Sequence, residues 1–296
     1  MMRALRHIAF FAIVLTSSWG TPPPLNSENT FINSVEFLSE NLLPGSVIAI
    51  RLKNTPNKEN SLRVCFRMQC LALTNRWELL PTNPDTPDAQ LFLLEDKLNR
   101  WSFEKIELDT NMFDKIKIKI TNLRLPASVA DLLKTSDKAV EFEKSYNKQI
   151  HIRNSALSWG KQWTLPIPSA ITSPFGTLRT AEDGASYTHK GVDLRAPMGT
   201  AVATTSDGWV VATLEQMVSG KVITIDHGHG VMSKYLHLSE FKVKIKEQVR
   251  AGQIIALSGT SGRSEAPHLH WEIRVRGYPV DPLSTARLMA RLSYPE

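Results

Sequence analysis

Cysteine is almost absent from this chain, with two residues in 296, Cys65 and Cys70. Both lie in the N-terminal half, far from the histidines of the last third, and are not read as metal ligands. Their spacing suits a hairpin over 63–73 with Arg67-Met68 at the turn, Phe66 facing Gln69 and Cys65 facing Cys70. A non-hydrogen-bonded cross-strand pair brings side chains closest, so in an exported protein a disulfide is expected there. Long apolar runs are equally scarce. Residues 8–15 form one, too short to span a bilayer comfortably. With Arg3 and Arg6 before it and Thr16-Ser-Ser-Trp-Gly20 after it, it reads as a cleaved export signal over 1–20. No cysteine follows it, which argues against a lipoprotein, and no second long apolar run follows, so no stable membrane insertion after signal cleavage is expected. An RNA-binding aromatic signature, a DNA-binding helix pattern, internal repeats and low-complexity tracts are all missing, and nucleic acid is not expected as a partner.

What is present is an ordinary globular balance, 42% hydrophobic and 22% charged residues, with a formal net charge of +6. That charge suits anionic surroundings such as cell-wall polymers or lipid headgroups. After the stiff lead-in Thr21-Pro-Pro-Pro24, residues 21–125 read as a β-rich N-terminal domain. The segment 46–52 follows Pro44-Gly45 as a strand, and 115–120 alternates lysine with isoleucine as a half-buried strand does. Between 126 and 163 the pattern turns helical, with Phe142, Tyr146 and Ile150 at four-residue spacing, and a helical connector is expected. From 164 to 296 short apolar segments alternate with glycine turns, among them Gly191, Gly199, Gly208, Gly252, Gly259 and Gly262. This predicts an all-β domain and a mainly β chain.

That last domain also holds four histidines and an aspartate in three short segments: His189-Lys-Gly-Val-Asp193, Tyr235-Leu-His237-Leu-Ser239 and Pro267-His268-Leu-His270-Trp-Glu272. Three such residues suffice for a zinc ion with one open coordination position, the mark of a catalytic rather than a structural site. The other two can move protons beside it. His268 and His270 are two apart and share one face of a strand. His189 and Asp193 are four apart around Gly191, which reads as a loop entering a strand and not as the His-Glu-x-x-His helix motif. Glu272 shares the face of the histidine pair, where it either orients an imidazole or pairs with Arg274 or Arg276. His227 and His229 flank Gly228 and read as turn residues with no metal role. Tyr187 is read as loop packing, with help to an oxyanion the weaker reading. Thr260-Ser-Gly-Arg-Ser264 resembles a phosphate-binding glycine loop only superficially, since no lysine or helix pattern follows.

Taken together, Ile171-Thr-Ser-Pro-Phe-Gly176, His189-Lys-Gly-Val-Asp-Leu-Arg-Ala-Pro-Met-Gly-Thr200, Thr224-Ile-Asp-His-Gly-His-Gly230, Tyr235-Leu-His-Leu-Ser239, Gly259-Thr-Ser-Gly262 and Pro267-His-Leu-His-Trp-Glu272 resemble, in this order, the LytM/lysostaphin-type zinc endopeptidases. The N-terminal half is similar, much more loosely, to the β-sandwich that precedes this domain in some bacterial members, through Pro44-Gly-Ser-Val-Ile-Ala-Ile50. The resemblance implies an antiparallel β peptidase domain over 164–296, with Zn2+ held by His189, Asp193 and His270 and with His237 and His268 as catalytic histidines. It further implies peptidoglycan as substrate, at a peptide bond of its cross-links with D,D bonds favoured, and a periplasmic or extracellular location. The alternative is a LytM-fold protein that activates a separate cell-wall amidase without catalysis. Such relatives have lost metal ligands, whereas all five positions are kept here.

Overall fold

The computed structural model describes residues 35–107, apart from 40–44, 54–59, 67–68, 75, 83–89 and 98–99, then Ser155, and residues 162–292 apart from 181–185. The expected export signal and the alternating strand at 115–120 lie outside the described residues. So does nearly all of the expected helical connector; Ser155, Gln162 and Trp163, its described residues, are not helical.

The N-terminal half forms two antiparallel sheets. Strands β1 (Val35–Leu38), β2 (Val47–Leu52) and β5 (Glu78–Pro81) lie in the order β1-β2-β5. Strands β3 (Asn60–Phe66), β4 (Gln69–Ala72), β6 (Gln90–Lys97) and β7 (Arg100–Glu107) lie in the order β4-β3-β6-β7. The expected strand at 46–52 is β2, and the β3–β4 register sets Cys65 opposite Cys70 and Phe66 opposite Gln69, as the hairpin reading required.

The C-terminal half is a ten-stranded sheet and a short hairpin. The hairpin pairs β9 (Leu178–Thr180) with β10 (Ser186–Thr188). The sheet runs β16 (Gln248–Val249), β13 (Gly208–Gln216), β14 (Gly220–Gly228), β15 (Val231–Phe241), β18 (His268–Val275), β11 (Val192–Arg195) and β8 (Ile171–Ser173). Three strands branch from this path: β17 (Ile254–Ser258) pairs with β15 and with β12 (Ala201–Ala203), and β19 (Tyr278–Val280) pairs with β18. One helix, α1 (Pro282–Arg291), closes the described chain, capped by Asp281, whose carboxylate accepts from Leu283 N and Ser284 N, and opened by Pro282 at a position where no N–H is needed. Among the described residues no helix is long and apolar enough to cross a membrane.

Strand periodicity of two explains which residues became core. In β18, Leu269, Trp271, Ile273 and Val275 are fully buried, while His268, His270, Glu272 and Arg274 take the opposite face. In β11, Val192 and Leu194 join that core and Asp193 is left on the histidine side. The same hydrophobic cluster contains Val47, Ala49, Trp77 and Leu79 from β2, β5 and the residue before β5. The three-stranded sheet and the large sheet therefore share one core.

The structure corrects the turn reading for His227 and keeps it for His229. His229 does sit at the β14–β15 turn with φ 49°. His227 is instead the last inward residue of β14, on the face of Ile223 and Ile225, because the strand runs on to Gly228. Its Nδ1 donates to Asp207 O at 2.6 Å, and its Nε2 is 2.7 Å from the Ser233 hydroxyl. Ser233 in turn lies 3.0 Å from the Tyr235 hydroxyl, which accepts from Thr205 N at 2.8 Å. Burial pushes the His227 pKa down to about 4, against the pull of the Asp207 carbonyl. The unfolded chain takes up this proton as pH falls through 6.5, whereas the folded chain resists until about 4. Stability present above pH 6.5 is thus lost across that window. His227→Gln removes the linkage, so its destabilisation at neutral pH should shrink by on the order of 3 kcal/mol on acidification to about pH 4. Urea midpoints of both proteins across the range check this, and a penalty independent of pH would contradict it.

Candidate metal centre

Three neighbouring pieces of chain build the site. Asp193 on β11 is directly opposite His270 on β18, so two side chains of the polar face meet across one ladder rung. His189 stands in the approach to β11, three residues before it, and Gly191 between them passes over the His270 ring. A Cβ on Gly191 would lie 2.5 Å from Trp271 O and 2.7 Å from His270 Nε2, a close approach that excludes any other residue.

The three donor atoms nearly touch. His189 Nε2 is 3.1 Å from Asp193 Oδ1 and 3.0 Å from His270 Nδ1, and His270 Nδ1 is 2.8 Å from Asp193 Oδ1. A tetrahedral ion about 2.0–2.1 Å from each donor requires donors about 3.3 Å apart, close to these edges. The far side of each group is also occupied. His189 Nδ1 donates to Pro174 O at 2.8 Å, which leaves Nε2 as the lone-pair nitrogen. His270 Nε2 faces Glu272 Oε1 at 3.2 Å, which leaves Nδ1 of the neutral ring bare. Arg179 Nη2 donates to Asp193 Oδ2 at 2.6 Å and leaves Oδ1 toward the imidazoles. Two nitrogen lone pairs and a carboxylate oxygen thus converge, a donor set that suits a divalent cation.

Electrostatics agree with the geometry. Burial works against charge on Asp193, but the close approach of His189 and His270 to its carboxylate outweighs it and holds the carboxyl far below the usual carboxylate range. Burial likewise opposes charge on His270, yet its contacts with Asp193 and Glu272 raise its pKa to about 9, so the surroundings favour positive charge at this point. Glu272 is held ionised despite burial by Arg274 and Lys234, with Arg274 Nε donating to Oε2 at 2.9 Å. Both contacts weighed for Glu272 are therefore made at once, one by each oxygen.

His237 and His268 flank this group. Their ring centroids are 4.9 Å apart, and His237 is 6.1 Å from His270. Nδ1 of His237 donates to Ser261 O and Nδ1 of His268 to Ala266 O, each at 2.8 Å. Both rings are left with Nε2 as the working nitrogen, and His268 Nε2 is 3.7 Å from Asp193 Oδ1. His237 lies where β15 leaves β18 at the Leu236–His270 pair and joins β17 at the Leu238–Ser258 pair. Its φ of 59° is left-handed, a conformation found where surrounding structure enforces it. Burial, then the neighbouring His270 and His268, pushes its pKa down to about 3, so the ring is neutral at physiological pH.

All five histidine and aspartate positions picked out in the sequence come together here. Tyr187 is on β10, opposite Arg179 in register and 40% exposed. No sequence pattern pointed to Arg179 or to the carbonyls of Pro174, Ser261 and Ala266. The glycine loop at 260–264 carries the Ser261 carbonyl, and its Ser264 hydroxyl is 3.3 Å from His268 Nδ1.

His189, Asp193 and His270, beside two further histidines on an antiparallel sheet, form a group that could hold a metal ion. Residues 187–282 match peptidase family M23, and this part of the chain is an M23 domain of the LytM type. Peptidoglycan DD-endopeptidase ShyA of Vibrio cholerae serotype O1 is 45% identical over 102 residues, which cover 34% of this chain and 24% of that protein. DD-carboxypeptidase/endopeptidase Mpg of Neisseria meningitidis serogroup B is 39% identical over 120 residues, 40% of this chain and 28% of that one. The chain thus spans about a quarter of the length of these curated relatives. A crystal structure of a candidate peptidase M23 from Pseudomonas aeruginosa superposes with a TM-score of 0.61 over 84% of this chain and 96% of that one, at 22% identity, and shares its fold.

Glu272→Gln keeps the volume but weakens the acceptor behind His270. Metal affinity should fall about 10–100-fold, the usual cost of losing such a partner. Competition with a chelator checks this, and unchanged affinity would remove Glu272 from the centre.

Proposed function

We propose that this chain is an exported, zinc-dependent endopeptidase that hydrolyses D,D peptide cross-links of peptidoglycan in the periplasm or outside the cell, in cell-wall remodelling. The observation that carries this reading is the convergence of His189 Nε2, Asp193 Oδ1 and His270 Nδ1 beside two histidines whose Nδ1 atoms are both occupied. Two imidazoles and one carboxylate suit Zn2+ and leave room for a further ligand. The relative ShyA, named a peptidoglycan DD-endopeptidase, supports this substrate, and the net charge of +6 favours an anionic polymer. A non-catalytic activator would be expected to lack a ligand, and none of the five positions is lost.

When bound, the ion supplies Lewis acidity, polarising the scissile carbonyl and acidifying a water molecule. The chain's own residues do the rest. With Nδ1 protonated and tied to a carbonyl, Nε2 of His237 or His268 can only accept, so one of these rings takes the proton of the attacking water. It then carries a proton on both nitrogens. The Ser261 or Ala266 carbonyl stabilises that imidazolium, and its Nε2–H is placed to return the proton to the leaving amine. The second ring can serve the carbonyl oxygen, as charge develops on it, only when it too carries a proton on Nε2. Arg179 and Glu272 hold Asp193 and His270 in place meanwhile.

Purified residues 21–296 incubated with zinc on intact sacculi should convert cross-linked muropeptide dimers into monomers, read by mass spectrometry. His237→Ala should keep its zinc and lose about 10²–10⁴-fold in turnover, the usual contribution of a general base. His189→Ala and His270→Ala should lose both metal and activity. Near-native rates for His237→Ala would overturn its role, and unchanged dimers with the native protein would overturn the activity.

A further inference from the structure

The backbone and ring of His189 are held by a single turn. Gly176 N donates to His189 O at 2.9 Å, His189 N donates to Thr177 O at 2.8 Å, and His189 Nδ1 donates to Pro174 O at 2.8 Å. The Thr177 hydroxyl donates to the same Pro174 oxygen at 2.8 Å, which fixes where that carbonyl points. The turn 174–177 is therefore the mould in which the imidazole is set. It lies on the surface, with Pro174 and Gly176 exposed and Thr177 buried, so something outside the turn must keep it in register.

The ring of Phe175, at the centre of the turn, is pressed against Gly45 in the segment that enters β2. A Cβ on Gly45 would lie 2.2 Å from Phe175 Cε1 and 2.6 Å from Cζ, and the φ of Gly45 is +82°. No side chain fits between the two. Gly45 is itself anchored, since its carbonyl accepts from Asp281 N at 2.8 Å, just where α1 begins. Nearby, Arg276 Nη2 donates to Glu78 Oε2 at 2.6 Å and its Nε donates to Leu79 O at 3.0 Å, which ties the β18–β19 turn to β5. Val47, Ala49, Trp77 and Leu79 lie in the same core as Val192 and Leu194. The seat of Phe175 is thus rigid, and it belongs to the N-terminal sheet.

We propose that Phe175, seated on Gly45, is a positioning residue that fixes His189 through the Pro174 carbonyl, so that the three-stranded N-terminal sheet supports the metal centre. This rests on the reading of His189 as a metal ligand. A displaced turn moves the Pro174 oxygen, and with it the tautomer and aim of the imidazole, while Asp193 and His270 stay on their ladder rung. Such support behind a ligating histidine commonly sets metal affinity.

The test uses the full chain and zinc alone, titrated against a chelator, with thermal melting beside it. Native protein that binds zinc and His189→Ala that does not would establish the ligand on which the proposal stands. Phe175→Ala should then weaken zinc binding at least about 10-fold, measured well below its melting temperature. Gly45→Ala, which pushes the ring off its seat from the other side, should do the same. The double variant should be no worse than either single one, since both break one contact. A merely structural role would lower the melting temperature and leave zinc affinity alone. Zinc affinity within twofold of native in both folded single variants would overturn the proposal and leave the ligand assignment intact. Failure of His189→Ala to lose zinc would overturn the ligand assignment instead. Should Phe175→Ala not fold, Gly45→Ala alone decides.

Discussion

Everything in the C-terminal half depends on the crowding of three donor atoms at the seam of β11 and β18, each about 3 Å from the other two. Lone pairs brought so close repel one another, and a buried carboxylate beside two imidazoles is costly unless each is held from behind. The Pro174 carbonyl, the Arg179 guanidinium and the Glu272 carboxylate do that holding. Each fixes a proton or an oxygen on the outer side, so that the inner side presents only acceptors. A cation relieves the crowding, which is why the arrangement reads as a metal centre and not as a hydrogen-bonded core cluster.

The sheet extends this logic to the two flanking histidines. β15 pairs with β18 up to Leu236 and with β17 from Leu238, and His237 sits at the change of partner with a left-handed backbone. Neither ladder then needs its side chain, which turns toward the site while its Nδ1 is tied to Ser261. His268 begins β18, and its ring is held by the carbonyl of Ala266, two residues earlier. Both are tied to backbone atoms, an arrangement that sets a tautomer without adding a charged neighbour that would compete for the proton.

Much of this was legible because strands have a period of two. The alternation of His268, His270 and Glu272 with Leu269, Trp271 and Ile273 separates a chemical face from a core face in the sequence alone. The strand at 46–52 was readable instead from its apolar run after Pro44-Gly45, and the facing of Cys65 and Cys70 from the expected turn between them. His227 was not. Glycine on either side of His229 suggested a turn, but the inward row of Ile223 and Ile225 carries one step further before the chain reverses. The supports of the site were also illegible, since a backbone carbonyl has no side-chain signature. The meeting of Gly45 with Phe175 joins segments far apart in the chain, and only the shared core brings them together.

The most direct test is a crystal structure of the zinc-loaded protein with anomalous scattering recorded at the zinc edge. A single strong peak is expected within bonding distance of His189 Nε2, His270 Nδ1 and Asp193 Oδ1, with His237 and His268 unbonded beside it. A peak bonded through His237 or His268 in place of one of these three, or no peak between β11 and β18, would contradict it.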